Sequence, residues 1–242
     1  MTFKELFLDK KPVIGMIHTG SNAEISMLDL AKKEVGIYLK YGVVPLIENY
    51  FGSDKDCSAV LQWMHEVHPD AIYGVNILGD SQLAFELAHK YGAKFIQVDS
   101  VCGHLKPKHE PDYVEKLNKN RTEYNVAVLG GVRFKYQSVK SGRSTEEDLR
   151  LGTERCDAIV CTGTGTGIET PLDKVDQFKA TVGNFPVIVG AGVTLETVQT
   201  TMSRCDGMIV GSWFKYEHQA HNVVCEENVR DFMEAISMDN PR

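Results

Sequence analysis

The last quarter of the chain carries PVIVGAGV at Pro186–Val193 and GMIVGSWFK at Gly207–Lys215. Each stretch is a short apolar run that leads into a glycine-containing turn, and a helical pattern separates the two. Near-continuous apolar runs are typical of strands buried on both faces of a parallel sheet. Two such units in succession are typical of the end of a (β/α)8 barrel, where backbone N–H groups bind phosphate. The pair therefore predicts a fold and an anionic small ligand.

The same alternation of strand and helix patterns extends over the whole chain and predicts the α/β class. We expect a single-domain (β/α)8 TIM barrel over residues 1–242, with MTFKELFLDKK as a short N-terminal cap on the barrel floor. The 242 residues match the ~250 that are typical of one such barrel. The predicted strands lie near Val13–His18, Val43–Asn49, Ala71–Ile77, Lys94–Ser100, Asn125–Phe134, Asp157–Thr162, Pro186–Ala191 and Gly207–Gly211. The predicted helices lie near Glu24–Tyr41, Cys57–His68, Ser81–Tyr91, Pro111–Arg121, Thr145–Arg155, Leu172–Thr181, Leu195–Ser203 and Glu227–Ser237.

Composition excludes several classes of protein. A hydrophobic content of 43% indicates a globular chain, and a net charge of −7 without a long basic run argues against nucleic-acid binding. No stretch approaches the ~18 apolar residues of a membrane span, and charges interrupt the N-terminus, so we expect neither a transmembrane segment nor a signal peptide. The six cysteines are scattered without a CxxC pair, which predicts free thiols and a cytoplasmic location.

Polar residues follow the predicted strands at their carboxyl ends, where the active sites of barrels lie. The catalytic candidates are Glu48, Asp99, His18 and Lys135. Two carboxylates facing each other can transfer protons or hold a divalent metal. His18 fits a general base or an orienting imidazole, and Lys135 fits a phosphate or carboxylate contact or a Schiff-base nucleophile. Each also has a purely structural interpretation: His18 could bond to a loop carbonyl, Glu48 with Asn49 could be a buried pair that ties loops together, Asp99 could form an ion pair with Arg133 or Lys135, and Lys135 could be exposed to solvent.

Only one of Glu48 and Asn49 can face the barrel interior, because side chains alternate along a strand, and the sequence leaves open which one does. The loop TGTGTG at Thr162–Gly167 lacks the GK[ST] of a Walker A motif. Its alternating glycines could form a flexible turn or, together with the glycines after the last two strands, an anion site. The predicted substrate- and phosphate-binding residues are Asn49, Asn76, Arg133, Thr164, Gly165, Thr166, Gly190, Gly192, Gly211 and Ser212.

No cofactor is firmly predicted, although Glu48 and Asp99 could hold Mg²⁺ together with a substrate phosphate. The Cys and His groupings match no recognised zinc spacing: Cys102 with His104, His65 with His68, and His218 with His221 and Cys225. The expected partner is a phosphorylated small molecule. We also expect a homo-oligomer. The candidate contact residues between its subunits are Met27, Tyr38, Trp63 and Trp213, although the sequence is equally compatible with a place for each of them in the hydrophobic core. Three connections are candidate lids over the mouth: Thr19–Ala23, Val101–Glu110 and Trp213–Cys225.

With these motifs the chain resembles the BtpA/SgcQ family of barrel proteins over nearly its whole length. The resemblance rests on the segments PVIGMIH at Pro12–His18, IENYFG at Ile47–Gly52, KFIQVDSVCG at Lys94–Gly103, VRFK at Val132–Lys135, CTGTGTG at Cys161–Gly167, PVIVGAGVT at Pro186–Thr194 and DGMIVGSWFK at Asp206–Lys215. It implies a barrel of the ribulose-phosphate-binding type, a group that includes isomerases and epimerases of phosphosugars. It points to His18, Glu48, Asn49, Asp99 and Lys135 as the matching mouth positions.

The resemblance leaves the activity open. One branch of the family is associated with photosystem I accumulation, and another with sugar utilisation. Relatives commonly carry an Asp-x-x-x-Lys-His pattern after the fifth strand, where this chain has Gly131, Lys135 and Tyr136. We expect an enzyme that acts on a phosphorylated sugar, nucleoside or related metabolite, of the isomerase, epimerase, lyase or hydrolase type. The alternative is a non-catalytic assembly or biogenesis factor of the BtpA kind.

Overall fold

A computed structural model of the chain describes residues 1–8, 10–20 and 24–238. Eight parallel strands pair in sequence order, and β8 pairs with β1 to close the barrel. The strands are β1 (Val13–His18), β2 (Val44–Glu48), β3 (Gly74–Asn76), β4 (Phe95–Cys102), β5 (Ala127–Val132), β6 (Ala158–Cys161), β7 (Val187–Val189) and β8 (Gly207–Val210). The predicted single-domain barrel is confirmed.

A helix precedes the barrel and a helix follows each strand. They are α1 (Phe3–Phe7), α2 (Met27–Lys40), α3 (Asp54–Val67), α4 (Ser81–Tyr91), α5 (Glu110–Tyr124), α6 (Thr145–Arg155), α7 (Leu172–Val182), α8 (Val198–Arg204) and α9 (Glu226–Met238). Two starts differ from the prediction because of capping. Ser26 caps α2, so that helix begins at Met27, and Ser53 forms a capping box with Asp56, so α3 begins three residues before Cys57.

Apolar side chains form two separate clusters on the two faces of the strands. One fills the space between barrel and helices, and the other fills the barrel itself, as expected for strands buried on both faces. At the floor, α1 supplies Phe3 and Phe7 to the inner cluster, and the ring of Phe7 lies 6.1 Å from that of Phe95. The N-terminal stretch is therefore the cap that its amphipathic pattern predicts. With the floor filled, the open end of the barrel is the carboxyl end of the strands.

Tyr38 is not an exposed anchor. Its side chain is fully buried and its hydroxyl donates to the carbonyl oxygen of Met16 at 3.0 Å, because the α2 surface that carries it packs on β1. The other three candidate anchors, Met27, Trp63 and Trp213, are partly buried against the core. All six cysteines are free and buried. Among the described residues, none of the helices is both long and apolar enough to cross a membrane.

Candidate functional site

A cavity of about 360 Å³ opens at the carboxyl ends of the strands. The four predicted catalytic residues, His18, Glu48, Asp99 and Lys135, all line it. Its opposite wall comes from the loops after β6, β7 and β8. The mouth therefore brings together an acid–base side and a glycine-rich side, as the sequence predicts.

Glu48, and not Asn49, faces the barrel interior. Leu46 belongs to the inner apolar cluster, and Glu48 lies two residues further along the same face of β2. Asn49 points the other way, where its amide donates to Asp54 at 2.7 Å and its carbonyl accepts the backbone N–H of Leu78 at 2.8 Å. Asn49 therefore joins two loops outside the cavity and does not line it.

Asn76 connects the two carboxyl groups. Its amide nitrogen donates to Oε1 of Glu48 at 2.7 Å and lies 3.4 Å from Oδ1 of Asp99. Gln97, one layer deeper on β4, donates to the same Asp99 oxygen at 3.3 Å. Asn76 is buried and does not line the cavity, so it holds the two carboxyl groups and is not placed to bind substrate, which corrects the sequence prediction for this residue.

His18 ends β1 beside Glu48, with Nε2 at 3.4 Å from Oε2 of the glutamate. The other ring nitrogen, Nδ1, lies 3.0 Å from the carbonyl oxygen of Ala220. Since a carbonyl only accepts, Nδ1 carries the proton and Nε2 presents a lone pair to Glu48. Burial, together with the ammonium of Lys215, lowers the pKa of His18 to about 3. The contact at neutral pH is therefore between a neutral imidazole and a carboxyl group, and it is not an ion pair.

The environment of Glu48 shifts its acidity into the physiological range. Burial first, and the nearby Asp99 second, raise the pKa of Glu48 to about 7, against the opposing effects of Lys135 and Asn76. A carboxyl group that is partly protonated at neutral pH can both give and accept a proton. Perturbed carboxyl groups of this kind concentrate at functional sites.

Lys135 belongs to the turn after β5. Its backbone N–H donates to Oγ1 of Thr162 at 2.9 Å, and its Nζ lies 5.7 Å from the ring centroid of Phe134. Burial lowers the pKa of Lys135, while Glu48, Tyr136 and Asp99 act in the opposite direction.

Arg133 does not reach the cavity, although the sequence places it among the binding residues. Its Nε donates to the buried Asp148 at 3.0 Å and its Nη2 to the carbonyl oxygen of Arg143 at 2.6 Å. Arg133 follows the last residue of β5 and has a φ of 51°, so the alternation of side chains along the strand does not continue through it, and its side chain contacts Asp148. The structural interpretation in which Asp99 pairs with Arg133 is thereby also excluded.

Five of the predicted glycine-loop residues line the cavity: Thr166, Gly190, Gly192, Gly211 and Ser212. Thr164 is exposed, Gly165 lies behind the wall, and neither lines the cavity. The loop after β6 is fixed by Tyr136, whose hydroxyl accepts the backbone N–H of Thr166 at 2.8 Å. The Tyr136 side chain therefore orders the glycine-rich loop.

Aromatic rings form a rim at the mouth, and among them Tyr50 is the residue that the sequence prediction did not include. Tyr50 stacks on the imidazole of His18 with ring centroids 4.9 Å apart, and Trp213 stacks on His218 at 3.9 Å. All four rings line the cavity. The signal for Tyr50 was present, since it directly follows the Glu48–Asn49 pair at the end of β2.

The segment from Lys215 to Val224, part of a predicted lid, closes on itself beside His18. Its two ends, Lys215 and Val224, form an antiparallel bridge. The carboxylate of Glu34 on α2 accepts hydrogen bonds from both ends, from Nζ of Lys215 at 3.4 Å and from the backbone N–H of Val224 at 2.8 Å. This closure brings the Ala220 carbonyl to His18. Of the other two candidate lids, the structure describes the whole of Val101–Glu110. For Thr19–Ala23 it describes Thr19 and Gly20, and residues 21–23 lie outside the described residues.

Within residues 1–8, 10–20 and 24–238, no group of three His, Cys, Asp or Glu side chains has the arrangement of a metal site. His218, His221 and Cys225, the one grouping of three in the sequence, therefore do not form such a group.

Solved structures share this fold at low sequence identity. The structure of native KDPGal aligns over 95% of this chain and 96% of its own, with a TM-score of 0.65 and 16% identity. Phosphoribosyl anthranilate isomerase from Thermus thermophilus aligns over 95% of this chain and 100% of its own, with a TM-score of 0.63 and 13% identity.

Relatives by sequence carry no assigned activity. An uncharacterised protein of Thermococcus kodakarensis is 28% identical over 93% of this chain and 95% of its own length. The putative sgc region protein SgcQ of Escherichia coli is 27% identical over 68% of this chain and 63% of its own length. The BtpA family model matches residues 9–238. The chain therefore belongs to the BtpA family.

Proposed function

We propose that the protein is an enzyme that transfers protons on a small phosphorylated metabolite, with a sugar or nucleoside phosphate as the substrate class. The observation that carries the proposal is the position of Glu48, whose pKa of about 7 and contact with a neutral His18 suit it to give and accept protons at neutral pH. Isomerase, epimerase and lyase chemistry all use such a group.

The glycine-rich wall supplies the proposed phosphate site. Gly190, Gly192 and Gly211 lie at the carboxyl ends of β7 and β8, where the backbone of a barrel commonly binds phosphate. A phosphate held there would direct the rest of the substrate across the cavity toward Glu48, Asp99 and Lys135. Two of the solved neighbours bear names of phosphorylated compounds, phosphoribosyl anthranilate and 2-deydro-3-deoxyphosphogluconate.

The acid–base side would act on a carbon or hydroxyl group next to a carbonyl. Glu48 would exchange the proton, His18 would share it through Nε2, and the Asn76 amide would hold Glu48 in place. Asp99 lies on the other side of Asn76 and would bind a second hydroxyl or, with Glu48 ionised, a magnesium ion. Preorganised groups of this kind stabilise charge that develops in the transition state.

Ligand-dependent thermal unfolding tests the substrate class. The wild-type protein would be heated with inorganic phosphate, a panel of phosphosugars and nucleotides, and Mg²⁺. A ligand at ~100 times its dissociation constant adds roughly 2.7 kcal/mol of stability, which is readily measured. We expect a shift with a phosphosugar or a nucleoside phosphate. The absence of a shift with every phosphorylated compound would contradict the proposal and favour the non-catalytic assembly factor.

Two matched tryptophan variants locate the binding. A Cβ on Gly211 would have its nearest neighbour, Met16 Cγ, 3.5 Å away, so Gly211→Trp places an indole in the cavity. Gly36→Trp is the control, because Gly36 is exposed on α2 and a Cβ added there would meet nothing within 4 Å. The ligand shift should disappear in the first variant and persist in the second. For turnover, Glu48→Gln and Asp99→Asn should each remove activity, and full activity in both would contradict the catalytic roles.

A further inference from the structure

Lys135 occupies a position that the backbone constrains on both sides. Arg133 and Tyr136 adopt φ angles of 51° and 63°, in the left-handed region that residues with a Cβ rarely enter. The N–H of Gln137 donates to the carbonyl oxygen of Phe134 at 3.1 Å and closes the turn between them. Strained backbone of this kind persists only where the surroundings hold it, and it concentrates at functional sites.

Independent contacts hold each side of this turn. The Arg133 guanidinium is fixed by the buried carboxylate of Asp148 and by the Arg143 carbonyl. The Tyr136 hydroxyl is bonded to the loop after β6, and the Lys135 N–H is bonded to Thr162. The turn therefore holds the Lys135 backbone firmly, while its side chain extends into the cavity.

The Lys135 side chain is half-buried, yet no carboxylate neutralises it at close range. In the part of the chain that the structure describes, its ammonium takes part in no ion pair within 4.0 Å, and it lies over the Phe134 ring at 5.7 Å. A lysine kept only for structure would be expected to pair, as Lys215 does with Glu34. Burial lowers the pKa of Lys135, which increases the fraction of free amine at neutral pH.

We propose that Lys135 is an imine-forming nucleophile for an aldehyde or ketone carbonyl of the phosphorylated substrate, with Glu48 as the group that exchanges protons. The inference rests on the proposed function, since the phosphate site directs the carbonyl to the lysine. The amine and the carboxyl group line the same cavity and affect each other's pKa, but they form no ion pair within 4.0 Å among the described residues, so neither group is occupied by the other.

The step balances without an oxidant, a reductant or a metal. The lone pair of the neutral amine attacks the carbonyl carbon, and the oxygen takes a proton from Glu48 to give a carbinolamine. The Glu48 carboxylate takes a proton from the nitrogen and passes it to the hydroxyl group. The nitrogen lone pair then expels that group as water, which leaves a protonated imine and an ionised Glu48. The cation draws electrons from a neighbouring C–H bond, or from a neighbouring C–C bond as the hydroxyl group beyond it loses its proton, and the Glu48 carboxylate accepts that proton.

Pyridoxal 5′-phosphate is a suitable probe, because it carries both an aldehyde and a phosphate. The full-length protein would be incubated with it near pH 7, reduced with borohydride and mapped by peptide mass spectrometry. We expect Lys135 to be labelled severalfold faster than the exposed Lys140, because burial lowers the pKa of Lys135 and its amine faces the cavity that holds the phosphate of the probe. Inorganic phosphate should slow the labelling of Lys135 and leave that of Lys140 unchanged.

Two variants complete the test. Lys135→Arg keeps the positive charge but forms no imine, so the selective adduct should disappear, whereas Lys140→Arg should retain it. Labelling of Lys135 no faster than that of Lys140 would overturn the imine proposal. If a phosphosugar still stabilises the wild-type protein in that case, the proposed function stands and only the imine is wrong. Selective labelling without any phosphosugar shift would support the nucleophile and contradict the proposed substrate class.

Discussion

Gly131 on β5 packs so closely against Asp99 on β4 that a Cβ atom on the glycine would stand 1.9 Å from the Asp99 carbonyl oxygen. The pairing of the two strands becomes irregular at the same place, between Val98 and Cys102. Because Gly131 has no side chain, the irregular part of β4 can lie directly against β5. Any residue with a side chain at this position would require β4 to move.

Gly131→Ala should destabilise the protein by about 1–3 kcal/mol, the usual result of forcing a methyl group into filled space. Urea unfolding measures the change. Gly36→Ala is the matched control, since Gly36 lies in a helix with open space around it and should be stabilised by up to about 1 kcal/mol. Equal effects of the two substitutions would show that the close approach to Asp99 does not constrain the strand.

Glu48→Gln should raise stability in a pH-dependent way. The pKa of Glu48 is about 7 in the folded protein and near 4.5 in the unfolded chain, so the folded state holds the extra proton between these values. The free energy of unfolding of the wild type therefore loses about 3 kcal/mol as pH rises from 4.5 to 7, and the loss persists above pH 7. The variant lacks this loss, so its advantage should be larger at pH 8 than at pH 4.5.

Urea unfolding of both proteins at pH 4.5, 6 and 8 measures this difference. Glu66→Gln, at an exposed position on α3, is the matched control. His18 contributes in the opposite direction in both proteins, because its pKa of about 3 is below the usual value and its stabilising effect is lost as pH falls below 6.5. A difference between Glu48→Gln and wild type that does not change with pH would contradict the raised pKa.

Lys215 and Glu34 form a fully buried pair, and burial shifts the pKa of each toward its neutral form. Lys215→Met should cost about 3–5 kcal/mol, because it leaves the glutamate without its partner. Adding Glu34→Gln should restore much of that loss, since the amide oxygen can still accept the Val224 N–H. The exposed pair of Lys40 with Glu226 is the control, where Lys40→Met should cost less than about 1 kcal/mol. Additive losses in the Lys215 and Glu34 double variant would contradict the coupling.

Tyr136→Phe should weaken ligand binding more than it affects folding. The lost hydroxyl accepts the Thr166 N–H at the surface, so the free energy of unfolding should fall by no more than about 1 kcal/mol. Isothermal titration with the phosphorylated ligand should show severalfold weaker binding, because the loop after β6 is no longer fixed. Tyr216→Phe, at another exposed tyrosine, should leave the affinity unchanged.

Sequence patterns predicted the parts of the molecule that follow from chain periodicity. Apolar runs located the strands, and alternation on β2 restricted the inward residue to Glu48 or Asn49. The inward position of Leu46 then decides between them, and this needs the barrel's actual register. The ends of the strands carry the catalytic candidates because parallel strands all finish at the same edge.

The failures have local causes that no periodicity encodes. Alternation along β5 from Leu129 through Gly131 would point Arg133 into the barrel, but its left-handed backbone sends it to Asp148. The partner of His18 is a main-chain carbonyl, that of Ala220, which any residue type would supply. A contact made through a backbone atom does not depend on the residue type that supplies it. The sequence therefore could not predict this contact, and only the structure reveals it.

The closure of β1 on β8 has a consequence for biosynthesis. Val13 pairs with Met208, so the first strand leaves the ribosome about 200 residues before its second neighbour exists. At ordinary rates of translation this interval is roughly 10–40 s, during which one edge of the nascent sheet has no partner. Phe3 and Phe7 of α1 likewise have no inner apolar cluster to pack against until β4 and β5 have been synthesised. The first strand of the barrel is therefore among the last to gain both of its neighbours, and chaperone dependence should concentrate in that interval.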